Sequence, residues 1–350
     1  MKINLLLTSV GAPGFDAALR SIKEFSDLYF IETKVVGIDS NSAAYGSHLV
    51  DMFYNVLPYN NPRFVKELDD IINQESIDFI IPLGDYELAV LANDYYELCL
   101  INDARTLDIV QNKANLFTFL KNRNQTEKYC IDFIRCNNLP QINKFLDVLL
   151  TKGSKACIKP SNTSGSRGFA IIDKINLASW GIDKTPYATI EQDCFLREIK
   201  CSPREDLMLM EYITGDEYSV DCYISTGPEP PTIIPRCRNR ITSGICTEAH
   251  VRYIPELIDA SLDIINELGL RGNLNLQFKL PSSGPPKLLE INPRLAGTVE
   301  ACRGAGANLI LFLLCDFFNL ERNEFHIRWG TIMKRTYKEL FIYADEARFI

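Results

Sequence analysis

Asn273-Leu274-Asn275-Leu276-Gln277-Phe278-Lys279-Leu280 is followed by Pro281-Ser282-Ser283-Gly284-Pro285-Pro286 and then by Lys287-Leu288-Leu289-Glu290-Ile291-Asn292-Pro293-Arg294. The first run alternates strictly between polar and apolar residues. Strand side chains point to opposite faces in turn, so Leu274, Leu276, Phe278 and Leu280 take one face. Asn273, Asn275, Gln277 and Lys279 take the other. The proline- and glycine-rich segment turns the chain, and the second run returns as a strand. Glu290 and Asn292 are two apart and share a face, while Leu289 and Ile291 point the opposite way. If the strands pair, Gln277 joins Glu290 and Asn292 on the polar face. Three oxygen-bearing side chains on one rigid sheet suit Mg²⁺, a hard cation. Arg294, released by Pro293, can reach a phosphate or a carboxylate. A solvated sheet face is the plainer alternative.

Upstream, Ala156-Cys157-Ile158-Lys159-Pro160 is expected to be a strand and Phe169-Ala170-Ile171-Ile172 its return. Between them, Ser161-Asn162-Thr163-Ser164-Gly165-Ser166-Arg167-Gly168 forms a loop of small residues. Its glycines let backbone N–H groups approach phosphate oxygens, and Lys159 adds a compact positive charge. No G-K-[ST] opens a helix, so this is not a Walker loop. An exposed hairpin loop has the same composition. Leu207 to Ile213 is a further strand, continued by Gly215-Asp216-Glu217-Tyr218-Ser219-Val220-Asp221. Such a strand edge can read an adenine ring, and Glu217 can take ribose hydroxyls. An ordinary hairpin is again the alternative.

Arg236, Arg238 and Arg240 lie within five residues and lead toward Thr242-Ser243-Gly244 and His250. The cluster suits a substrate carboxylate or phosphate. It also suits a charged strand edge that deters aggregation. Cys237 and Cys246 invite a nucleophile reading, but no partner base is fixed beside them, and packing is the simpler role.

The first third alternates strand and helix: strands at Ile3–Thr8, Lys34–Asp39 and Phe79–Pro82, helices at Ala17–Phe25, Pro62–Asn73 and Tyr86–Leu91. That order implies a parallel, doubly wound sheet. Gly11 and Gly14 follow the first strand and Asp39 ends the second, yet the G-x-G-x-x-G dinucleotide spacing is absent. A tight turn with a strand-end acid capping the next loop explains the same residues. Asp85 and Glu87 lie just beyond the third strand. There they face a ligand crevice, or Asp85 caps the next helix.

The chain has 350 residues, room for about two domains. Its formal net charge of −8 argues against coating nucleic acid or anionic membrane. No run approaches the roughly 20 apolar residues of a membrane span. The segment Met1–Val10 reads as a first strand, not a signal peptide. Eleven cysteines without a C-x-x-C pair and three histidines argue against zinc or a disulfide framework, and for a reducing cytoplasm.

Taken in order, these pieces resemble the ATP-grasp superfamily, and within it the carbamoyl-phosphate-synthase-like branch of single-module ligases. The resemblance rests on Ile158-Lys159-Pro160 with Ser164–Gly168, Met210-Glu211-Tyr212-Ile213 with Glu217 and Ser219-Val220-Asp221, Asn275-x-Gln277-Phe278, and Leu289 to Arg294. Gly37-Ile38-Asp39 and Ile80-Ile81-Pro82-x-x-Asp85-x-Glu87 match the N-terminal domain of that branch, and Met333-Lys334-Arg335 matches its C-terminal segment.

The resemblance implies an α/β and α+β chain: a Rossmann-like pre-ATP-grasp domain over residues 1–105, then a two-lobed ATP-grasp fold over 106–320. Its flexible lobe would be 106–215 and its catalytic lobe 216–320, with 321–350 completing the fold. The mixed-charge stretch Phe195–Asp206 is expected to be a mobile loop.

By the same resemblance, Lys113 and Lys159 are nucleotide-binding lysines, and Ser164, Gly165, Ser166 and Gly168 cover the phosphates. Glu211 and Ile213 read adenine, and Glu217 binds ribose. Gln277, Glu290 and Asn292 hold Mg²⁺, two ions being expected, with Mn²⁺ as the substitute. Arg294 and Lys159 act in catalysis. Arg236, Arg238, Arg240 and Glu87 face the substrate. The implied activity is ATP-dependent joining of a carboxylate to an amine or similar nucleophile through an acylphosphate, releasing ADP and phosphate.

Small-molecule substrates are implied as partners, without nucleic acid or membrane, and a homodimer is common among such enzymes. Carboxy- or carbamoyl-phosphate formation is one alternative. A second arginine of that signature falls here at Gly297, which weighs against it. The others are a non-catalytic ATP-binding regulator and a Rossmann-type oxidoreductase.

Overall fold

The computed structural model describes residues 2–162, 168–173, 188–242, 245–336, 339–343 and 347–349. The chain forms two compact units. The first comprises Met1–Asp108, Tyr218–Gln277 and Ile291–Ile350, and the second Ile109–Glu217 and Phe278–Glu290.

The first unit opens with β1 (Lys2–Leu7), α1 (Phe15–Tyr29), β2 (Glu32–Asp39), β3 (Met52–Asn55), α2 (Phe64–Glu75), β4 (Phe79–Ile81) and α3 (Leu88–Asp94). The four strands form a parallel sheet in the order β3-β2-β1-β4. Leu5, Leu6 and Leu7 are fully buried, as the continuous apolar run requires of a strand covered on both faces. The short strand β3 escaped the pattern of the sequence. Its four residues are only half-buried or exposed, so no apolar alternation marks it.

The middle of the chain adds α4 (Ala104–Gln111), α5 (Lys113–Lys121), β5 (Phe133–Cys136), α6 (Leu139–Thr151), β6 (Ala156–Pro160), β7 (Ala170–Asp173), β8 (Ala188–Glu191), α7 (Gln192–Cys201) and β9 (Arg204–Glu211). Strands β5-β9-β6-β7-β8 make a five-stranded sheet, antiparallel except for the β7–β8 pair. Ile142, Leu146 and Leu149 of α6 pack with Ile158 and Leu209 in one apolar core.

The expected mobile loop over Phe195–Asp206 is corrected here: it is α7 and the start of β9. Phe195 and Ile199, four apart, are both buried in the same core. Two apolar residues on one helical face anchor a short helix that charged neighbours disguise.

Beyond these come β10 (Asp216–Ile224), β11 (Thr232–Thr242), β12 (Ile245–Val251), α8 (Pro255–Leu268), β13 (Gly272–Leu280), β14 (Lys287–Asn292), α9 (Glu300–Gly304), α10 (Leu309–Phe317), β15 (Ile332–Lys334), β16 (Leu340–Ile342) and β17 (Ala347–Phe349). A six-stranded sheet runs β14-β13-β10-β11-β12-β15. Helix α10 is buried over seven consecutive residues, Leu309 to Cys315. It packs against Phe25 and Phe79, so it needs no polar face. The polar face of β13 is not a solvated one. Asn273 and Asn275 are buried, and Asn275 donates to Asp221 at 2.7 Å. Among the described residues no helix is long and apolar enough to cross a membrane.

Gly215, between β9 and β10, has φ +127°, and a Cβ there would lie 2.2 Å from the Leu280 carbonyl oxygen. The positive φ alone penalises a side chain by about 1–3 kcal/mol. Gly215→Ala is expected to lower the urea-unfolding midpoint, whereas Gly284→Ala, with open space around its Cβ, is expected to cost only its own positive-φ strain.

Candidate active site

Strand β6 delivers Lys159. Cys157 and Ile158 before it are buried, and Lys159 pairs with Met208 of β9. Helix α5 delivers Lys113. The Asn112 side chain caps that helix by accepting from the N–H groups of Ala114 and Asn115. The Lys113 N–H donates to the Ser161 carbonyl at 3.0 Å, which ties the helix start to the end of β6. Both lysines then meet one acceptor. Lys159 Nζ lies 3.0 Å and Lys113 Nζ 3.3 Å from Oε2 of Glu290. The three side chains are 15%, 6% and 9% exposed. Burial by itself would raise the Glu290 pKa, but Lys159 and Lys113 outweigh it and hold the carboxyl well below its ordinary range. The group is therefore an ionised oxygen donor.

Glu211 ends β9, and its carboxylate accepts from Ser154 Oγ at 2.7 Å. The N–H of Glu211 donates to Asp132 and that of Tyr212 to Lys155. Ile213 follows, just outside the strand. Lys279 Nζ lies 3.6 Å from Glu217 and donates to the Gly215 carbonyl at 3.2 Å. A cavity of about 390 Å³ opens beside Glu211, lined also by Lys121, Asp132 and Lys287. Lys113, Lys159 and Glu290 do not line it, so the cavity and the charged cluster are separate features of this unit. Ser164, Gly165 and Ser166 lie outside the described residues. Gly168, which is described, has φ +73°.

In the first unit, Arg294 Nη2 donates to Asp85 Oδ2 at 2.7 Å and Nη1 to the Leu295 carbonyl at 2.7 Å. Its Nε is buried without a hydrogen-bond partner. Asp85 is thus no helix cap; the cap position of α3 is Glu87, whose side chain makes no capping bond. Glu87 is the second acid of this loop. It is buried, and its Oε1 accepts from Thr8 Oγ1, from Ser9 Oγ at 3.0 Å and from the Gly84 N–H at 3.1 Å. It ties the loop after β1 to the loop after β4. Asp39 accepts from the N–H groups of Gly11 and Asn41, so it caps its loops as the plainer reading held.

Arg236, Arg238 and Arg240 run along β11 from a buried end to an exposed one. Arg236 is 1% exposed and pairs with Asp221 at 2.5 Å. Asp221 also accepts from Cys302 Sγ at 3.3 Å. The Arg236 guanidinium is enclosed in the core. Arg238 Nη1 donates to Gln277 Oε1 at 3.2 Å, and Arg240 is exposed. Sequence reasoning missed the Arg238–Gln277 contact and the Asp221 network. Cys246 is buried with its Sγ 3.1 Å from the Glu248 carbonyl, which is packing rather than nucleophile geometry. Asn292 is buried two residues from Glu290 on β14.

Residues 203–335 match a family model described as ATP-grasp in the biosynthetic pathway with Ter operon. Residues 5–99 match the PylC-like N-terminal domain. The chain is 24% identical over 292 residues to the carbamoyl phosphate synthase large chain of Methanobrevibacter smithii, covering 76% of this chain and 25% of that protein. It is 35% identical over 101 residues to carnosine synthase 1 of Gallus gallus, covering 26% of this chain and 10% of that protein. This chain therefore spans a quarter or less of the length of either relative.

The fold resembles N5-carboxyaminoimidazole synthetase from Staphylococcus aureus complexed with ADP, with TM-score 0.70 and 15% identity over 96% of this chain and 83% of that one. It also resembles an L-amino acid ligase from Bacillus licheniformis, with TM-score 0.62 and 12% identity over 90% of this chain and 74% of that one. The ATP-grasp fold and its N-terminal companion domain are as the resemblance implied.

Two outcomes are expected. Glu290 has a folded pKa below its unfolded one, so its contribution to stability is present above the unfolded value of about 4.3 and is lost as pH falls through the folded range. Urea midpoints followed between about pH 6 and pH 3 are expected to fall more steeply for the wild type than for Glu290→Gln. Arg236→Met, which strands a buried carboxylate, is expected to cost about 3–5 kcal/mol. Arg240→Met is expected to stay within about 0.5 kcal/mol.

Proposed function

We propose that the chain is an ATP-dependent carboxylate–amine ligase that works through an acylphosphate. The observation that carries this reading is the convergence of Lys113 and Lys159 on ionised Glu290, with Asn292 two residues away on the same strand. Two cations and one hard oxygen donor form a set matched to a polyphosphate with a divalent cation.

In this reading Lys113 and Lys159 bind the phosphates, Glu211 and Ile213 read adenine through the backbone, and Glu217 takes the ribose. Gln277, Glu290 and Asn292 hold Mg²⁺, whose oxygen preference fits the donor set. Bound Mg²⁺ supplies charge neutralisation of the polyphosphate. Arg294 orients the acid half of the substrate, and its guanidinium already accommodates the Asp85 carboxylate. A substrate carboxylate oxygen attacks the γ-phosphorus, and the bond to the β-phosphate oxygen breaks to release ADP. An amine then attacks the acyl carbon and phosphate leaves. Phosphoryl transfer of this kind rests on positioning and charge, which the lysines and arginine supply.

In this reading Arg238, half-buried, and Arg240, exposed, meet an anionic acceptor. The N5-carboxyaminoimidazole synthetase and L-amino acid ligase whose folds are shared are ligases by name, which supports the reading. We place the enzyme in the cytoplasm, acting on small molecules, as a monomer or homodimer. Carbamoyl phosphate formation is disfavoured by Gly297. A Cβ there would lie 3.0 Å from Pro13 Cβ, so a side chain at this position would have to displace Pro13 slightly.

The test is an acylphosphate trap. The protein is incubated with Mg-ATP, hydroxylamine and pooled carboxylates, and ADP and hydroxamate are followed by mass spectrometry. One pool is expected to yield hydroxamate, with the rate falling about 10²–10³-fold in Arg294→Met and disappearing in Glu290→Ala. ATP binding without ADP or hydroxamate from any pool, with or without added amines, would sink the ligase reading.

A further inference from the structure

Both lysines of the charged cluster spend their ammonium groups on the same oxygen, Oε2 of Glu290. The contacts are direct, buried and confined to one compact unit. Lys113 is held there by the Asn112 cap and by its own N–H on Ser161, and Lys159 by the β6–β9 pairing. The backbones that carry them are therefore held, and an incoming phosphate oxygen competes with the carboxylate for the same two ammonium groups. A carboxylate left beside a polyphosphate, with its lysines turned to the phosphates, is an unfavourable buried like-charge contact.

We propose that Glu290 is an internal competitor for nucleotide phosphates, so that the protein excludes metal-free nucleotide and binds nucleotide and divalent cation only as a mutually dependent pair. The inference rests on the ligase reading for the identity of the anion. It goes beyond metal ligation, because this carboxylate also holds both phosphate-binding lysines before any phosphate arrives. Linkage makes the dependence reciprocal. With its charge matched by two lysines, Glu290 is a weak cation ligand until phosphates draw the lysines away. With the cation present, the carboxylate has a new counter-charge and ceases to compete.

The closing experiment is calorimetric titration of the full chain with ATP and with ADP, in EDTA and in excess Mg²⁺. The wild type is expected to bind metal-free ATP weakly. Glu290→Gln, which keeps the shape and removes the charge, is expected to bind metal-free ATP at least about tenfold more tightly than wild type. The gain from adding Mg²⁺ is expected to shrink in that variant.

If Glu290→Gln retains its circular dichroism and binds metal-free ATP no more tightly than wild type, the inference is overturned. Lys159→Gln gives a second arm that needs no change at Glu290. With one lysine gone, Mn²⁺ alone, followed by the electron paramagnetic resonance of the free ion, is expected to bind about fivefold or more tightly than to wild type. Should Glu290→Gln not fold, an unchanged Mn²⁺ affinity in Lys159→Gln overturns the inference. A wild type that binds no nucleotide even with Mg²⁺ overturns the ligase reading instead, and the Mn²⁺ arm still decides the competition.

Discussion

The Glu290 carboxylate, shared by Lys113 and Lys159, constrains much of the second unit. Three ionised side chains leave water together, and each loses hydration that the others help to replace. Burial opposes the charge on Glu290, and two ammonium groups reverse that opposition. The geometry has to hold for the balance to hold. This explains why both lysines are anchored through the backbone, one by a capped helix start and one by a strand with buried neighbours on its core side. A charged cluster so fixed is prepared for a polyanion before one arrives, which is what electrostatic preorganisation requires.

The first unit buries charge too, to a different end. Asp221 takes Arg236, Asn275 and Cys302, and Glu87 takes Thr8, Ser9 and Gly84. Burial raises the Cys302 thiol well above its usual range, and the adjacent Asp221 carboxylate adds to the rise, so the thiol stays protonated and donates. These networks join β10, β11 and β13 to one another, and the strand-end loops of the N-terminal sheet to one another. They are satisfied inward and offer nothing to a ligand, apart from one Arg236 nitrogen without a protein partner. Arg294 differs. Its pair with Asp85 is about one-fifth exposed, and its Nε has no partner, so the guanidinium retains donor capacity.

Much of the architecture was legible because its periods are clean. Strict alternation over Asn273–Leu280 placed β13, the returning run after the Pro/Gly turn placed β14, and the apolar run at the start placed β1 as a strand covered on both sides. Lys113, Lys159 and Glu290 were legible as a set only through the likeness to known nucleotide-binding motifs; they lie far apart in the chain, and no spacing rule connects them. Strand β3 and helix α7 were not legible. The first is too short and too exposed to show a period, and the second has only Phe195 and Ile199 buried among charged residues.

Arg236, Arg238 and Arg240 mark where sequence stops and tertiary structure takes over. The spacing of two would put all three on one face of a regular strand, but the β11–β12 register shifts between Arg238 and Arg240. Burial falls from 1% at Arg236, through half-buried Arg238, to exposed Arg240. Glu87 and Asp85 divide in the same way: two acids in one loop, one buried under three donors and the other holding Arg294. Backbone period and residue type are local, and the chain determines them by itself. Whether a charged group meets a partner, a core or water depends on segments distant in sequence, and only the folded packing decides it.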